Sequence, residues 1–469
     1  MALRSRMLSG AFWTTAGRIC SVGALLATEI CIGRSLSEGD CAAYFTASAF
    51  AVLLATCVVF GTPRIIIRTL KQELQRGRTG SARAAVISCY KTVGMIALVA
   101  VAIVIASGFL VPEEPKWRAV RDYSLLVGMW ACCFAACQIA SGVLQALDDF
   151  RSAMLVGARQ GGVVANTLFL VLAMLAHHLG YLELGLALIL QVTLNGLALF
   201  VAWRLIEKAF IRYETQRSTE VSPTGEHASS WPTYSIRWIL EQSWPDFIVQ
   251  FTSMNVVYIQ VLVLGWLASD RSIADYYAVL RLVSLVQVGQ LLVLATLAPF
   301  VAELLAQDRK QELERIVRGS ATLIAIPTLF ATLVLVLFPD GAIRLTFGED
   351  FTAGAIALRI IAIGIAVSVI SGCNSLVMVM AGRQQLLMKV SLSAFVIHLL
   401  VIVPLVQKWN IVGAAWAASV VYGVYNLYVT YLVKRHEGIS TLPSHSPRAI
   451  RETVHSIFRG RHRADLPSI

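Results

Sequence analysis

Charge is scarce in this sequence: Asp, Glu, Lys and Arg make up 14% of its 469 residues and hydrophobic types 57%. In a soluble domain about a quarter of the residues are charged, so a water-soluble globular chain is excluded. Signatures of catalysis are missing as well. There is no G-x-x-x-x-G-K-[ST] nucleotide loop, no H-E-x-x-H pair and no cluster with metal-ligand spacing. Neither ATP-driven pumping by this chain nor a metal or cofactor is expected. The nine cysteines do not change this: Cys132, Cys133 and Cys137 share one apolar run and the others are scattered, as suits small apolar packing residues. Long polar loops on the side away from the N-terminus are also lacking, the longest lying between Pro112 and Arg121. A membrane glycosyltransferase or polymerase usually displays its carboxylates or basic groups on a sizeable external loop, so no catalytic residue is assigned.

Present instead are long apolar runs, which recur along almost the whole chain with short polar breaks. A spanning helix needs about 20 apolar residues. Twelve spans are expected: 10–33, 42–62, 84–111, 122–147, 153–176, 183–205, 239–268, 273–300, 320–338, 354–381, 386–406 and 411–433. Arg4 and Arg6 ahead of the first run resemble the start of a signal peptide. The run from Gly10 is long enough to span and has no convincing cleavage site, so it is read as a retained helix. With the N-terminus in the cytoplasm, cytoplasmic segments carry roughly four times as many Lys and Arg residues as the opposite side. This bias predicts a multi-pass protein of the cytoplasmic (cell) membrane with both termini inside. It also accounts for the formal charge of +11 without a nucleic-acid partner.

The stretch from Glu207 to Arg237 has a linker composition, with Ser218, Thr219, Ser222, Pro223, Gly225 and Pro232. It divides the chain into an N-terminal six-helix lobe (1–206), a cytoplasmic linker (207–238), a C-terminal six-helix lobe (239–435) and a basic cytoplasmic tail (436–469). Arg448, Arg451, Arg459, Arg461 and Arg463 of the tail suit a surface of anionic lipid. The halves resemble each other. Lys71-Gln72-Glu73-Leu74 follows the second span and Lys310-Gln311-Glu312-Leu313 the eighth, with Pro63 and Pro299 closing those spans. Leu184-Gly185-Leu186-Ala187 and Val412-Gly413-Ala414-Ala415 recur in the same order at a similar offset, which predicts an internal duplication. Because six spans is an even number, both copies share one orientation. The expectation is an all-α membrane protein of about twelve helices, its two six-helix bundles related by a pseudo-two-fold along the membrane normal.

Ionisable groups inside spans are costly, at least about 2.5 to 3.5 kcal/mol on insertion scales, and usually face a bundle interior or an aqueous cavity. Here they include Arg18, Glu29, Asp246, Arg281, Arg359 and His398. Arg18 and Arg281 can offer a guanidinium fork to phosphate; a salt bridge between helices or snorkelling is the structural alternative. Glu29 and Arg34 are read equally as a structural pair or a gate. Snorkelling to the outer headgroups is favoured for Arg359, and packing for His398. Span seven is the most polar, with Asp246, Gln250, Thr252, Ser253, Asn255, Tyr258 and Gln260. Gln250, Ser253 and Gln260 fall on or near one helical side, a stripe able to hydrogen-bond sugar hydroxyls or to bind neighbouring helices. The candidate substrate-binding set is therefore Arg18, Arg281, Asp246, Gln250, Ser253, Asn255 and Gln260. Trp117, Tyr123, Trp231, Trp238, Trp266, Tyr276 and Trp409 are read as interfacial anchors.

Several local patterns resemble one known family. They are Gly33-Arg34-Ser35-Leu36-Ser37-Glu38 with Tyr44, Gln145-Ala146-Leu147-Asp148-Asp149-Phe150-Arg151, Ser243-Trp244-Pro245, Ile273-Ala274-Asp275-Tyr276-Tyr277, Phe347-Gly348-Glu349-Asp350-Phe351, Ala381-Gly382-Arg383 and Val412-Gly413-Ala414-Ala415-Trp416-Ala417. Together they resemble the polysaccharide-exporting, O-antigen-flippase type of the multidrug, oligosaccharidyl-lipid and polysaccharide flippase superfamily, over most of residues 8–435. The resemblance implies two six-helix bundles, a central cavity, alternating access, and outward passage of undecaprenyl-pyrophosphate-linked repeat units for polysaccharide (O-antigen, lipopolysaccharide) biosynthesis. Implied partners are a polyprenyl-pyrophosphate-linked glycan, membrane lipids, H+ or Na+ as coupling ion, and glycan-assembly proteins. Where many relatives carry an aspartate five residues before a glycine in span seven, this chain has Gln260 before Gly265. A drug or metabolite antiporter on the same fold is the second reading, and a membrane glycosyltransferase or polymerase the reading from another class.

Overall fold

A computed structural model of the chain describes residues 2–108, 111–157, 162–218, 234–254, 256–307 and 309–443. The elements are helices: α1 (Ala2–Ser35), α2 (Glu38–Val59), α3 (Thr62–Gln75), α4 (Thr79–Gly108), α5 (Arg118–Asp122), α6 (Ser124–Ala146), α7 (Phe150–Val156), α8 (Val163–His178), α9 (Leu184–Ser218), α10 (Ile236–Met254), α11 (Val256–Leu267), α12 (Asp270–Ala306), α13 (Lys310–Leu337), α14 (Pro339–Thr346), α15 (Ala355–Ile370), α16 (Asn374–Met380) and α17 (Gln384–Glu437). Short 3-10 turns occupy Pro115–Trp117 and Glu349–Gly354.

The expected spans fall largely on helix, but 153–176 is divided between α7 and α8 and 354–381 between α15 and α16. Among the described residues, seven helical stretches are long and apolar enough to cross a bilayer, and α10 with α11 makes an eighth. α17 holds 54 residues, about 80 Å of helix, against a hydrocarbon core of about 30 Å. Its φ/ψ break at Asn410 (φ 51°, ψ −129°) divides it into the eleventh and twelfth spans. α1 and α12, at 34 and 37 residues, exceed the length a crossing needs. The protein is an all-α membrane protein of about twelve spanning helices.

Local chemistry sets the breaks. Ser37 caps α2, its Oγ accepting from the Asp40 amide, with Glu38 and Asp40 in the first turn where the helix dipole favours acid. α2 ends through two left-handed residues, Phe60 and Gly61, and Pro63 stands in the first turn of the next helix, α3, where its missing N–H costs nothing. Pro63 thus opens a separate helix instead of closing span two. Pro299 does not end its helix either: α12 continues to Ala306, the kind of proline a membrane helix tolerates when neighbours satisfy the freed carbonyl.

The chain divides into two compact units. The first holds the residues up to Ala278 together with Thr346–Phe351. It packs α6 against α2, α3, α4 and α9, and α1 against α7 and α8. α2 is buried on all sides from Cys41 to Ala49, and Ala42, Ala43, Ala47, Ala49 and Ala55 are all fully buried, so backbones approach closely, as apolar membrane packing requires. The second unit, Val279–Leu345 with the residues from Thr352 onward, packs α15 against α13 and α17. Gly364 permits this approach, since a Cβ there would lie 2.5 Å from Ser419 Cα. After α17 the chain turns at Gly438 (φ 73°) and tucks back. Ile439 joins the core of Leu313, Val317, Val377 and Val433, and Thr441 Oγ1 donates to the Ser371 carbonyl at 2.9 Å. Gly372 (φ 77°) admits the Thr441 carbonyl, which a Cβ would block.

Candidate functional site

Polar side chains inside the first unit form three groups. The first lies where α1, α2 and the start of α12 meet. Tyr277, 1% exposed, stacks on Phe45 at 4.1 Å between ring centroids. Its hydroxyl lies 3.3 Å from Glu29 Oε1 and 3.1 Å from Ser48 Oγ. Its neighbour Tyr276, fully buried, donates to Gln260 Oε1 at 2.6 Å. One turn earlier, Arg271 lies 3.5 Å from Asp275 and 3.7 Å from Glu38, with its guanidinium over the Phe351 ring. The Ile273–Tyr277 pattern is therefore a row of contacts: Ile273, Ala274, Tyr276 and Tyr277 are buried, and Asp275 pairs with Arg271.

The loop before α5 closes over the same end. Trp117 Nε1 donates to the Gly265 carbonyl at 3.1 Å, and Lys116, 5% exposed, donates to the Ala268 carbonyl and pairs with Glu114. These are terminal carbonyls of α11, left without intrahelical donors, and a cation there also meets the negative end of the helix dipole. Gly265 is required at this spot, for a Cβ would lie 2.9 Å from the Trp117 ring. Asp270 beside the loop has its carboxyl pKa raised, chiefly because burial disfavours the charge, with Lys116 opposing.

The second group is a buried network. Gln191 Nε2 donates to Tyr44 Oη at 2.9 Å, and Asn195 Nδ2 reaches the Gln191 carbonyl and amide oxygens. Tyr44 is stacked between Trp130 and Phe169, which holds it for the bond. Asn166 and Ser21 bond across α8 and α1 at 3.5 Å. In lipid such bonds join helices.

The third group surrounds α3. Ile65, Ile66, Leu70 and Leu74 are buried, while Arg64, Arg68 and Lys71 at i, i+4 and i+7 form the opposite face. Arg64 meets Asp246 at 2.9 Å, Arg68 donates to Gln242 at 3.1 Å, and Lys71 lies 3.3 Å from Asp148. The Asp148-Asp149 pattern explains itself here. Asp148 is left-handed (φ 60°) and faces Lys71, and Asp149 caps α7 by accepting from the Ser152 amide. The α2–α3 elbow sits on α10: Phe60 stacks on Phe247 at 4.4 Å.

Of the residues singled out by sequence, the structure engages Asp246 with Arg64 and Gln260 with Tyr276. Gln250 is half-buried on α10. Asn255 and the side chains of Arg18 and Ser253 lie outside the described residues. Arg281, 8% exposed, belongs to the second unit. Arg359 is exposed on the face that also shows Ile356 and Ile363, the lipid-facing arrangement that snorkelling needs. His398 is fully buried with a hydrogen bond to the Ala417 backbone. Trp117 and Tyr276 are not interfacial anchors. Both are buried with their polar atoms bonded, because a helix end and an amide from other segments supply better partners than headgroups. Sequence reading also missed the Tyr277–Glu29, Tyr44–Gln191 and Lys116–Ala268 contacts. Only α3 left a legible signal, a glycine and proline followed by apolar residues at helical spacing.

A bundle of about twelve spanning helices with hydrogen-bonded polar side chains in its interior has the build of a membrane transporter. The chain belongs to the polysaccharide biosynthesis protein family, which it matches over residues 7–305, and so to the polysaccharide flippase branch of its superfamily. It is 26% identical over 173 residues to a Haloferax volcanii protein named as the probable low-salt glycan biosynthesis flippase Agl15, a match covering 36% of this chain and about a third (35%) of that relative. Its fold is similar to that of the lipid II flippase MurJ in an inward closed conformation: TM-score 0.68, 14% identity, 95% of this chain and 90% of that one. A mutant of the Vibrio cholerae MATE transporter VcmN is similar at TM-score 0.62 and 17% identity, over 93% and 97% of the two chains.

Proposed function

We propose that this protein is a flippase that passes an oligosaccharide linked to undecaprenyl pyrophosphate outward across the cytoplasmic membrane, for polysaccharide synthesis of the O-antigen or lipopolysaccharide kind. The observation that carries this reading is membership of the polysaccharide biosynthesis family over residues 7–305. In this reading the lobes are 1–206 and 239–435, joined by the cytoplasmic linker 207–238, with both termini and the basic tail 436–469 inside. The glycan and pyrophosphate enter between the lobes while the polyprenyl tail stays in lipid. Arg18 and Arg281 offset the pyrophosphate charge, and Gln250, Ser253 and Asn255 contact sugar hydroxyls. Gln260 is closed off by Tyr276 in this conformation and becomes available when that bond opens. Rocking of the lobes, driven by H+ or Na+, then exposes the glycan outside, with Pro245, Pro299 and Pro327 inside their helices as bend points.

The likeness of fold to a MATE transporter keeps an antiporter as the second reading. The test is the pool of lipid-linked glycan, measured by mass spectrometry with leaflet accessibility in host cells carrying or lacking the gene. Completed units trapped on the inner face in its absence are expected. Shortened or absent units point to an assembly enzyme, and an unchanged pool to the antiporter.

A further inference from the structure

Arg64, Arg68 and Lys71 stand one turn apart along the exposed face of α3, about 6 Å and 4.5 Å of helix rise between them. Three cations face two carboxylates, Asp246 and Asp148, and one neutral amide, Gln242. The pairs are open to solvent: the Arg64 and Asp246 side chains are 53% and 24% exposed, those of Lys71 and Asp148 44% and 54%. Such pairs are worth about 0–1 kcal/mol, so exchanging one carboxylate for another anion costs little. The apolar face of α3 is anchored by Ile65, Ile66, Leu70 and Leu74, and the helix begins where the second span ends. With span two ending at residue 62, Arg64 stands within the first turn beyond it, near the level at which a lipid-borne phosphate sits. Two guanidinium forks in series can each take a phosphate bidentately, and Arg68 exchanges only the neutral Gln242 amide for it.

We propose that the Arg64–Arg68–Lys71 stripe is a reception site for the diphosphate of a lipid-linked substrate, and that Asp246 and Asp148 hold the site until the diphosphate displaces them. This rests on the flippase reading and deepens it. Asp246, grouped by sequence with the substrate contacts, becomes a competitor of the substrate.

The test is titration of the full-length protein in phosphatidylcholine nanodiscs with farnesyl diphosphate, a short prenyl diphosphate. The Arg68→Gln/Lys71→Gln variant is expected to bind about ten-fold more weakly, the equivalent of about 1.4 kcal/mol. Asp246→Asn, which removes the competitor, is expected to bind several-fold more tightly. A merely structural ion pair would not produce that gain. Tighter binding by Asp246→Asn, in a protein with an unchanged thermal midpoint, supports the site; unchanged or weaker binding overturns it. Inorganic pyrophosphate added in solution should compete, which shows that the diphosphate and not the prenyl chain is recognised. Equal competition by phosphatidylglycerol in the disc would make the stripe a general anionic-lipid surface and overturn the proposal. The leaflet assay on the wild-type gene is scored separately. A gene that restores outward exposure while these titrations fail sinks the site alone, whereas a gene that does not restore it sinks the flippase reading.

Discussion

Gly61 shows how much can hang on one missing side chain. Its φ is 72°, and a Cβ would lie 2.7 Å from the Ser243 carbonyl oxygen and 2.8 Å from the Phe247 amide nitrogen. Backbone atoms cannot step aside as a flexible side chain can. Gly61→Ala is expected to lower stability by about 1–3 kcal/mol, measured as a fall in thermal midpoint of the detergent-purified protein. Tyr277→Phe keeps the ring on Phe45 but removes the bond to Glu29 Oε1, with an expected loss of about 0.5–1.5 kcal/mol. Ser48→Ala should cost less. At Asp270 the raised pKa means that the folded state holds its proton more tightly than the unfolded chain. The group's contribution is then most favourable at low pH and declines as pH rises through the unfolded and then the folded value. Asp270→Asn should therefore equal or exceed wild type in thermal midpoint at pH 7, and the difference should vanish in acid. These partnerships were not legible in sequence. Tyr276 and Gln260 looked like an anchor and a pore-lining group, and nothing in a spacing of sixteen residues across a turn announces that they bond.

Elements were far more legible than partners, because a bilayer demands about twenty apolar residues per crossing and the sequence supplies them in separate runs. Even the boundary between 386–406 and 411–433 coincides with the break at Asn410. There the φ of 51° is unfavourable for most side chains. Asn410→Gly should be tolerated, and Asn410→Val should lower stability by about 1–3 kcal/mol, read as a fall in thermal midpoint. Short helices escaped the reading: α7 and α16, of seven residues each, were absorbed into longer runs, since hydropathy is blind to a bend between two apolar pieces. The repeated Lys-Gln-Glu-Leu segments occupy corresponding places only in part. Leu74 and Leu313 are both buried, but the first lies at the end of a separate amphipathic helix and the second at the start of a span.

For the whole molecule, the Lys and Arg bias makes a prediction about sidedness that needs no substrate. Single cysteines introduced as Glu113→Cys and Gln72→Cys should respond oppositely to a membrane-impermeant maleimide applied to intact cells. The first should label and the second stay protected. The reverse pattern would invert the orientation, and with it the direction proposed for transport. Fold and family were readable from sequence because glycines, aromatics and span spacing report architecture. Substrate contacts were not, because guanidinium groups and amides serve packing and recognition alike.

The segment after Gly438 also bears on how the protein is handled. Ile439 and Thr441 fill space beneath Ser371 and Gly372, so they are part of the second unit's fold and no mere tether for what comes after. A fluorescent reporter or purification tag joined directly behind Glu437 would replace that plug with foreign sequence, and expression screens read from such a fusion would score the protein as fragile. Moving the junction beyond Leu442 keeps the plug in place and should recover the monodisperse fraction.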